Sequence, residues 1–258
     1  RALEQALGLT AVVMATGMTG SGAQGETSLG GDVIFRLGFN GVYDAGTQLA
    51  TSNDVFGVMI AAPDLYFAYG VTLGTEIRFE ALRPATDDRF FDDEGFFLRE
   101  LFLRYPLTDD LTLQVGKYAP SFAMASLVTP GMYGNNYSKE LELIDRVGAT
   151  LEYAFGASAG GQHLLSVSTF FEDTSFLSKS IGFNRGRNDI SDGGASNTES
   201  FSSFAVSLQG SDLKTLPGLT YKIGLLHQAR GVDGTADERG LSLAAMRSYD
   251  VGPGRSFS

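Results

Sequence analysis

From residue 27 to residue 43 the chain alternates. The odd positions read Leu29, Gly31, Val33, Phe35, Leu37, Phe39, Gly41 and Tyr43, while the even ones include Asp32, Arg36 and Asn40, with Ile34 and Val42 as large apolar exceptions. Successive side chains of a strand point to opposite faces, so only a period of two sorts the residues this way. The pattern returns over 72–83, where Leu73, Ile77, Phe79 and Ala81 oppose Glu76, Arg78 and Glu80. Over 146–155, Val147, Ala149, Leu151, Tyr153 and Phe155 oppose Arg146, Thr150 and Glu152; over 219–230, Leu219, Tyr221, Ile223, Leu225 and Ala229 oppose Thr220, Lys222, Gln228 and Arg230. Less regular segments at 55–69, 95–105, 111–118, 162–174, 200–209 and 240–248 complete a set of about ten strands. Two residues fit poorly: Arg99 falls on the apolar side of 95–105, and Pro63 stands inside a strand although proline belongs at edges and bulges.

The links between these strands alternate in length. Short ones at 69–71, 106–110, 156–161 and 210–218 separate longer ones at 44–54, 84–94, 119–145, 176–199 and 231–239. Bacterial outer-membrane barrels have short periplasmic turns and longer external loops; a soluble sandwich gives no reason for that order. Strand 27–43 exceeds the usual length of about 5–6 residues and suits the roughly 9–11 that cross a bilayer on a tilt. After residue 23 no apolar run approaches the about 20 residues of a helical span. The expected fold is therefore all-β, an antiparallel transmembrane β-barrel.

Residues 1–23 differ in character. A mostly apolar run over 6–18 follows Arg1, and Ser21 and Ala23 suit the small positions before a signal-peptidase cut, so 1–23 reads as an export leader and 24–258 as the barrel domain. An N-terminal amphipathic helix packed on the domain is the alternative, and Glu4 and the missing initial methionine run against a leader. A water-filled pore takes on the order of 16–18 strands, and Arg255-Ser256-Phe257-Ser258 looks like the opening of another one. The chain accordingly reads as the N-terminal part of a longer barrel.

Composition narrows the chemistry. A formal charge of −11 argues against nucleic acid, which needs clustered Lys and Arg. Zero cysteines exclude a disulfide scaffold, a thiolate metal site, a cysteine nucleophile and a lipidated N-terminal cysteine.

The stretch Arg99-Glu100-Leu101-Phe102-Leu103-Arg104-Tyr105, a turn at 106–110, and then Leu111-Thr112-Leu113-Gln114-Val115-Gly116-Lys117-Tyr118-Ala119-Pro120-Ser121-Phe122 resemble the Gram-negative porin superfamily, in particular its phosphate-selective O and P type. They are similar to that family's hairpin entering the third loop, and 133–147 resembles the loop's return to the wall. The resemblance implies a barrel that assembles as a homotrimer, with the third loop folded inward to narrow the pore. The Lys and Arg enrichment of an anion-selective constriction is not evident here, so phosphate selectivity is not carried over.

In a barrel the polar face looks into water. The inward basic set is then Arg36, Arg78, Arg104, Arg146, Lys222 and Arg230, and the acidic set Asp32, Glu76, Glu80, Glu100, Glu152 and Glu172. Equal numbers give no net selectivity. Opposed signs can create a transverse field across a narrow site, or merely form cross-strand ion pairs. The link 119–145 is too long for an ordinary hairpin and is the candidate constriction loop. It carries Lys139, Glu140, Glu142 and Asp145, whose acidic groups are expected to face Arg36, Arg78, Arg104 and Arg146; an outward-lying loop is the alternative. The cluster Asp87, Asp88, Asp92, Asp93 and Glu94 could hold a divalent cation or engage cation-bridged lipopolysaccharide, but it lacks EF-hand spacing and reads as solvated surface. No metal and no cofactor is assigned.

An enzyme needs a base near a nucleophile or an activated water. Only His163 and His227 are available, both on the outward face, and no nucleophile elbow, HExxH or Walker loop occurs. The outward Phe35, Leu37, Phe39, Ile77, Phe79, Leu151, Tyr153, Ile223 and Leu225 would form an apolar band that soluble monomers avoid. Tyr43, Tyr69, Tyr105, Tyr118 and Phe155 near strand ends suit interfacial girdles. The expected function is that of a porin in the bacterial outer membrane, contacting lipid and lipopolysaccharide and passing ions or small hydrophilic solutes. A small barrel enzyme of protease or phospholipase type, or a structural or adhesive barrel, is the alternative.

Overall fold

The computed structural model describes residues 6–16, 27–42, 52–83, 88–124, 142–156, 160–232, 236–250 and 256–257, the first and last of these segments as backbone. Among them lie fifteen strands: β1 (Ala6–Thr16), β2 (Ser28–Val42), β3 (Ser52–Tyr66), β4 (Thr72–Ala81), β5 (Arg89–Phe90), β6 (Glu94–Pro106), β7 (Leu111–Tyr118), β8 (Arg146–Phe155), β9 (Gln162–Glu172), β10 (Ser180–Gly182), β11 (Ser203–Ser211), β12 (Leu219–Gln228), β13 (Glu238–Arg247), β14 (Tyr249–Asp250) and β15 (Ser256–Phe257). No helix among the described residues is long and apolar enough to cross a membrane.

Hydrogen bonding joins the strands in the order β1-β2-β3-β4-β6-β7-β8-β9-β11-β12-β13, an open path in which long strands adjacent in the chain are adjacent in the sheet. Off this path, β10 pairs antiparallel with β6 and β5 pairs parallel with β3. Short links force the antiparallel neighbour arrangement, since a parallel return would need a crossover of a dozen residues or more. Each of the ten expected strands forms.

An eleventh long strand, β1, lies inside the segment expected to be an export leader. It pairs with β2 over its whole length, from Ala6 opposite Val42 to Thr16 opposite Asp32, so the alternative of an N-terminal helix is corrected for these residues. Its apolar content, rich in Val, Leu and Ala with Thr interspersed, suits either conformation, and the long edge of β2 offers a ladder. At the other end Ser256 and Phe257 pair back onto Asp250 and Tyr249, where the opening of a further long strand was expected.

The chain divides into two compact units, Arg1–Leu101 with Ser175–Asn188 and Phe102–Thr174 with Asp189–Ser258. In the first, Pro63 is accommodated by its partners. Gly31 stands opposite it with φ 120° and no side chain to clash, and the Thr75 hydroxyl donates to the Pro63 carbonyl at 2.8 Å. The link after β4 is pinned by β5, where Arg89 forks onto Asp54 of β3 at 2.7 and 2.8 Å. Residues 175–188 add β10 to the start of β6, with the Arg185 guanidinium over the Phe97 ring at 4.5 Å.

The second unit shows what the register does with polarity. One transverse row reads Leu113, Leu151, Val167, Val206, Leu225 and Leu241 across β7, β8, β9, β11, β12 and β13. The next on the same face reads Leu111, Tyr153, Leu165, Leu208, Ile223 and Leu243. Between them, on the opposite face, lies Thr112, Glu152, Ser166, Ser207, Gly224 and Ser242. Burial inverts the order of a soluble protein: Val167, Leu225 and Leu241 are 46%, 52% and 66% exposed, whereas Ser166 and Ser207 are 1% and 2% exposed.

Candidate functional site

The polar face of the second unit is covered by the two described ends of the link after β7. Phe122 and Leu143, from either end, pack with Phe170 and Ala205 into a small buried cluster. Glycines make the room: a side chain at Gly224 or Gly240 would collide with Phe122, and one at Gly148 with Phe170. The Ser207 hydroxyl donates to that of Ser121 at 3.0 Å. Residues 119–124 and 142–145 thus lie against the sheet on its polar side.

Around them the wall is hydroxylated and charged. Tyr118, Thr150 and Ser168 form a chain of hydroxyls at 2.6 and 2.7 Å. Gln114, which is buried, accepts from Arg104 at 2.8 Å. Arg146 lies 3.8 Å from Glu172, donates to the Ile144 carbonyl at 2.9 Å and reaches Gln228 at 3.4 Å; Gln228 in turn donates to Glu238 at 3.0 Å. Lys222 is buried in the field of Glu152. Lys117 is more enclosed still, with its ammonium 2.9 Å from Asp145 and 2.8 Å from Asp173.

In the first unit, Glu76 pairs with Arg78 and lies 3.8 Å from Arg99, while Arg78 reaches Glu80 at 4.0 Å. Arg36 and Asp32 are exposed. Arg99 corrects the sequence reading: expected on the apolar side, its side chain is 12% exposed and turned to Glu76. The alternation breaks along β6, since Phe96 is exposed and Phe97 buried near its start, whereas Leu103 and Tyr105 are exposed near its end.

Five of the twelve inward charges singled out from sequence are therefore engaged with one another: Glu76, Arg78 and Glu80 in one group, and Arg146 with Glu172 in another. Arg104 meets Gln114 instead of an acid. Glu100 and Glu142 are half-buried, and Asp145 turns to Lys117. Lys139 and Glu140 lie outside the described residues, as does Asp87. Of the acidic cluster, Asp93 lies 2.7 Å from Arg83 and 3.8 Å from Arg89, and Asp88 accepts from the Asn53 backbone at 2.8 Å. His163 stacks on Phe155 and shares a 3.0 Å hydrogen bond with the Tyr221 hydroxyl across side-chain-free Gly210; His227 packs on exposed Phe204.

Lys117, Asp173 and the Asp54–Arg89 pair were not singled out as site residues from sequence. Strict alternation puts Lys117 with Leu113 and Val115, but Gly116 at φ 134° precedes it, and Lys117 and Tyr118 are both buried. That glycine, directly before a lysine at a strand end, was the available signal.

Comparison of the chain with protein-family models, with curated proteins and with solved structures finds no match.

Proposed function

We propose that this protein is a porin of the bacterial outer membrane: its long strands are barrel wall, and ions or small hydrophilic solutes diffuse passively along its polar face. The observation that carries this reading is the inverted burial of the register rows. Exposed rows of Leu, Val and Ile would be a large unfavourable surface in water, but in a bilayer they meet hydrocarbon without that cost. Closed antiparallel sheets are one of two arrangements that satisfy every backbone group there.

Dimensions agree with this. On β9 the outward residues run from His163 to Phe171, eight steps or about 27 Å along the strand at roughly 3.4 Å each, of the order of the about 25 Å apolar band of such barrels. The aromatic group of Tyr153, Phe155, His163 and Tyr221 lies toward the short turns, where a girdle belongs. Long links fall on the opposite edge, and the described ends of the one after β7 lie against the polar face, where a constriction loop would begin and end. The homotrimer belongs to the proposal on the strength of the resemblance alone.

Reconstitution into planar lipid bilayers tests it. The expected result is stepwise ion current whose size follows electrolyte conductivity, from a protein that needs detergent for extraction and migrates faster unboiled than boiled. Folded, inserted protein that passes no current would overturn the channel.

A further inference from the structure

We infer that Lys117 is a clamp that holds both ends of the link after β7, residues 119–124 and 142–145, on the polar face, and so sets how far they fill the proposed channel; this rests on the channel reading above. Lys117 stands at the end of β7, just before the link departs. Asp145 closes the link immediately before β8, and Asp173 follows β9. The ammonium reaches Oδ1 of Asp145 at 2.9 Å and Oδ2 of Asp173 at 2.8 Å, with the lysine side chain 2% exposed and Asp173 fully buried. The Asp173 backbone N–H also donates to the Asp145 carbonyl at 2.8 Å. Asp145 is held at φ 53°, a region that strains a residue with a side chain and persists only where surroundings enforce it.

Removing the ammonium alone leaves two carboxylates side by side in a buried place, the arrangement that is strongly destabilising when one partner of a buried ion group is deleted. Arg146, the residue after Asp145, is engaged by Glu172, Gln228 and the Ile144 carbonyl. Relief comes at Asp145, which closes the link and is 13% exposed, rather than at Asp173, which is fully buried. Leu143 moves with Asp145 and leaves Phe122 and Phe170, and once Phe122 is loosened the adjacent Ser121, half-buried and bonded to Ser207, becomes more accessible. Lys117 is too enclosed to meet a permeating ion, so it acts as a positioning residue and not as a selectivity charge.

The chain has no cysteine, so Ser121→Cys gives a single thiol whose labelling by a membrane-impermeant maleimide reports the link directly. In the full-length protein in lipid vesicles, Lys117→Met is expected to speed that labelling by about tenfold or more, and in planar bilayers to raise the current noise of the open channel. The triple variant Lys117→Met, Asp145→Asn, Asp173→Asn keeps the shapes and removes all three charges, and both readouts are expected to return toward the starting protein. Unchanged labelling in folded Lys117→Met overturns the clamp, as does fast labelling that persists in the triple variant. Should Lys117→Met not fold, the clamp predicts slow labelling in the triple variant, and fast labelling there overturns it. A starting protein that conducts nothing while its labelling follows the clamp would remove the channel and leave the clamp standing.

Discussion

Arg89 shows how much one side chain can fix. Its guanidinium forks onto both oxygens of Asp54 with both groups largely buried. The hydrogen bond that Arg89 donates to Asp54 pushes the guanidinium above its usual range, against the opposing pull of burial. Because the folded value is raised, the contribution is fully present below the ordinary arginine range and is lost only at extreme alkaline pH. Truncating one partner strands the other: Arg89→Met is expected to cost about 3–5 kcal/mol, and adding Asp54→Asn should recover part of it. Thermal unfolding followed by the shift between fast and slow gel bands reads this, and an unchanged midpoint for Arg89→Met would refute it. Pairings of this kind were poorly legible in sequence. The partners lie 35 residues apart; Asp54 stands alone in an uncharged stretch, and Arg89 sits among Asp87, Asp88, Asp92 and Asp93, so nothing local pairs them. Arg99 was misplaced and Lys117 went unnoticed for a related reason, because alternation assigns faces only while the backbone keeps its pleat.

At the scale of the strand the sequence was far more readable. A two-residue period with one apolar face survives wherever that face meets a uniform medium, so β2, β4, β8 and β12 stood out. Segments such as β6 and β7 did not, because they also carry buried residues with partners of their own: Phe97 lies under Arg185, Gln114 accepts from Arg104, and Lys117 meets Asp145 and Asp173. Register then adds what no single strand shows, lining Leu151 up with Leu113 and Val167. A charge placed there separates bilayer from water. Leu151→Arg is expected to destabilise the protein in lipid vesicles by about 2–4 kcal/mol, the cost of an arginine near the midplane of a barrel. For an exposed residue of a soluble sheet the same change stays within about 0.5 kcal/mol. Denaturant titration in vesicles distinguishes the two, and a near-zero effect would place Leu151 in water.

For the molecule as a whole, fold class and alternating link lengths were legible, but the state of the wall charges was not. Composition counts charges without saying which neutralise one another, and here Glu76, Arg78, Glu172 and Arg146 are engaged within the wall. The proposed function therefore hangs less on any charge than on which face would meet lipid. The measurement that tests this most directly uses nitroxide labels on Leu151→Cys and Glu152→Cys, neighbours on β8, in lipid vesicles. The account predicts that the label at 151 collides freely with oxygen and rarely with a water-soluble nickel chelate, and that the label at 152 does the reverse. Equal accessibility at the two positions, or a label at 151 that meets the nickel chelate more often than one at 152, would contradict it.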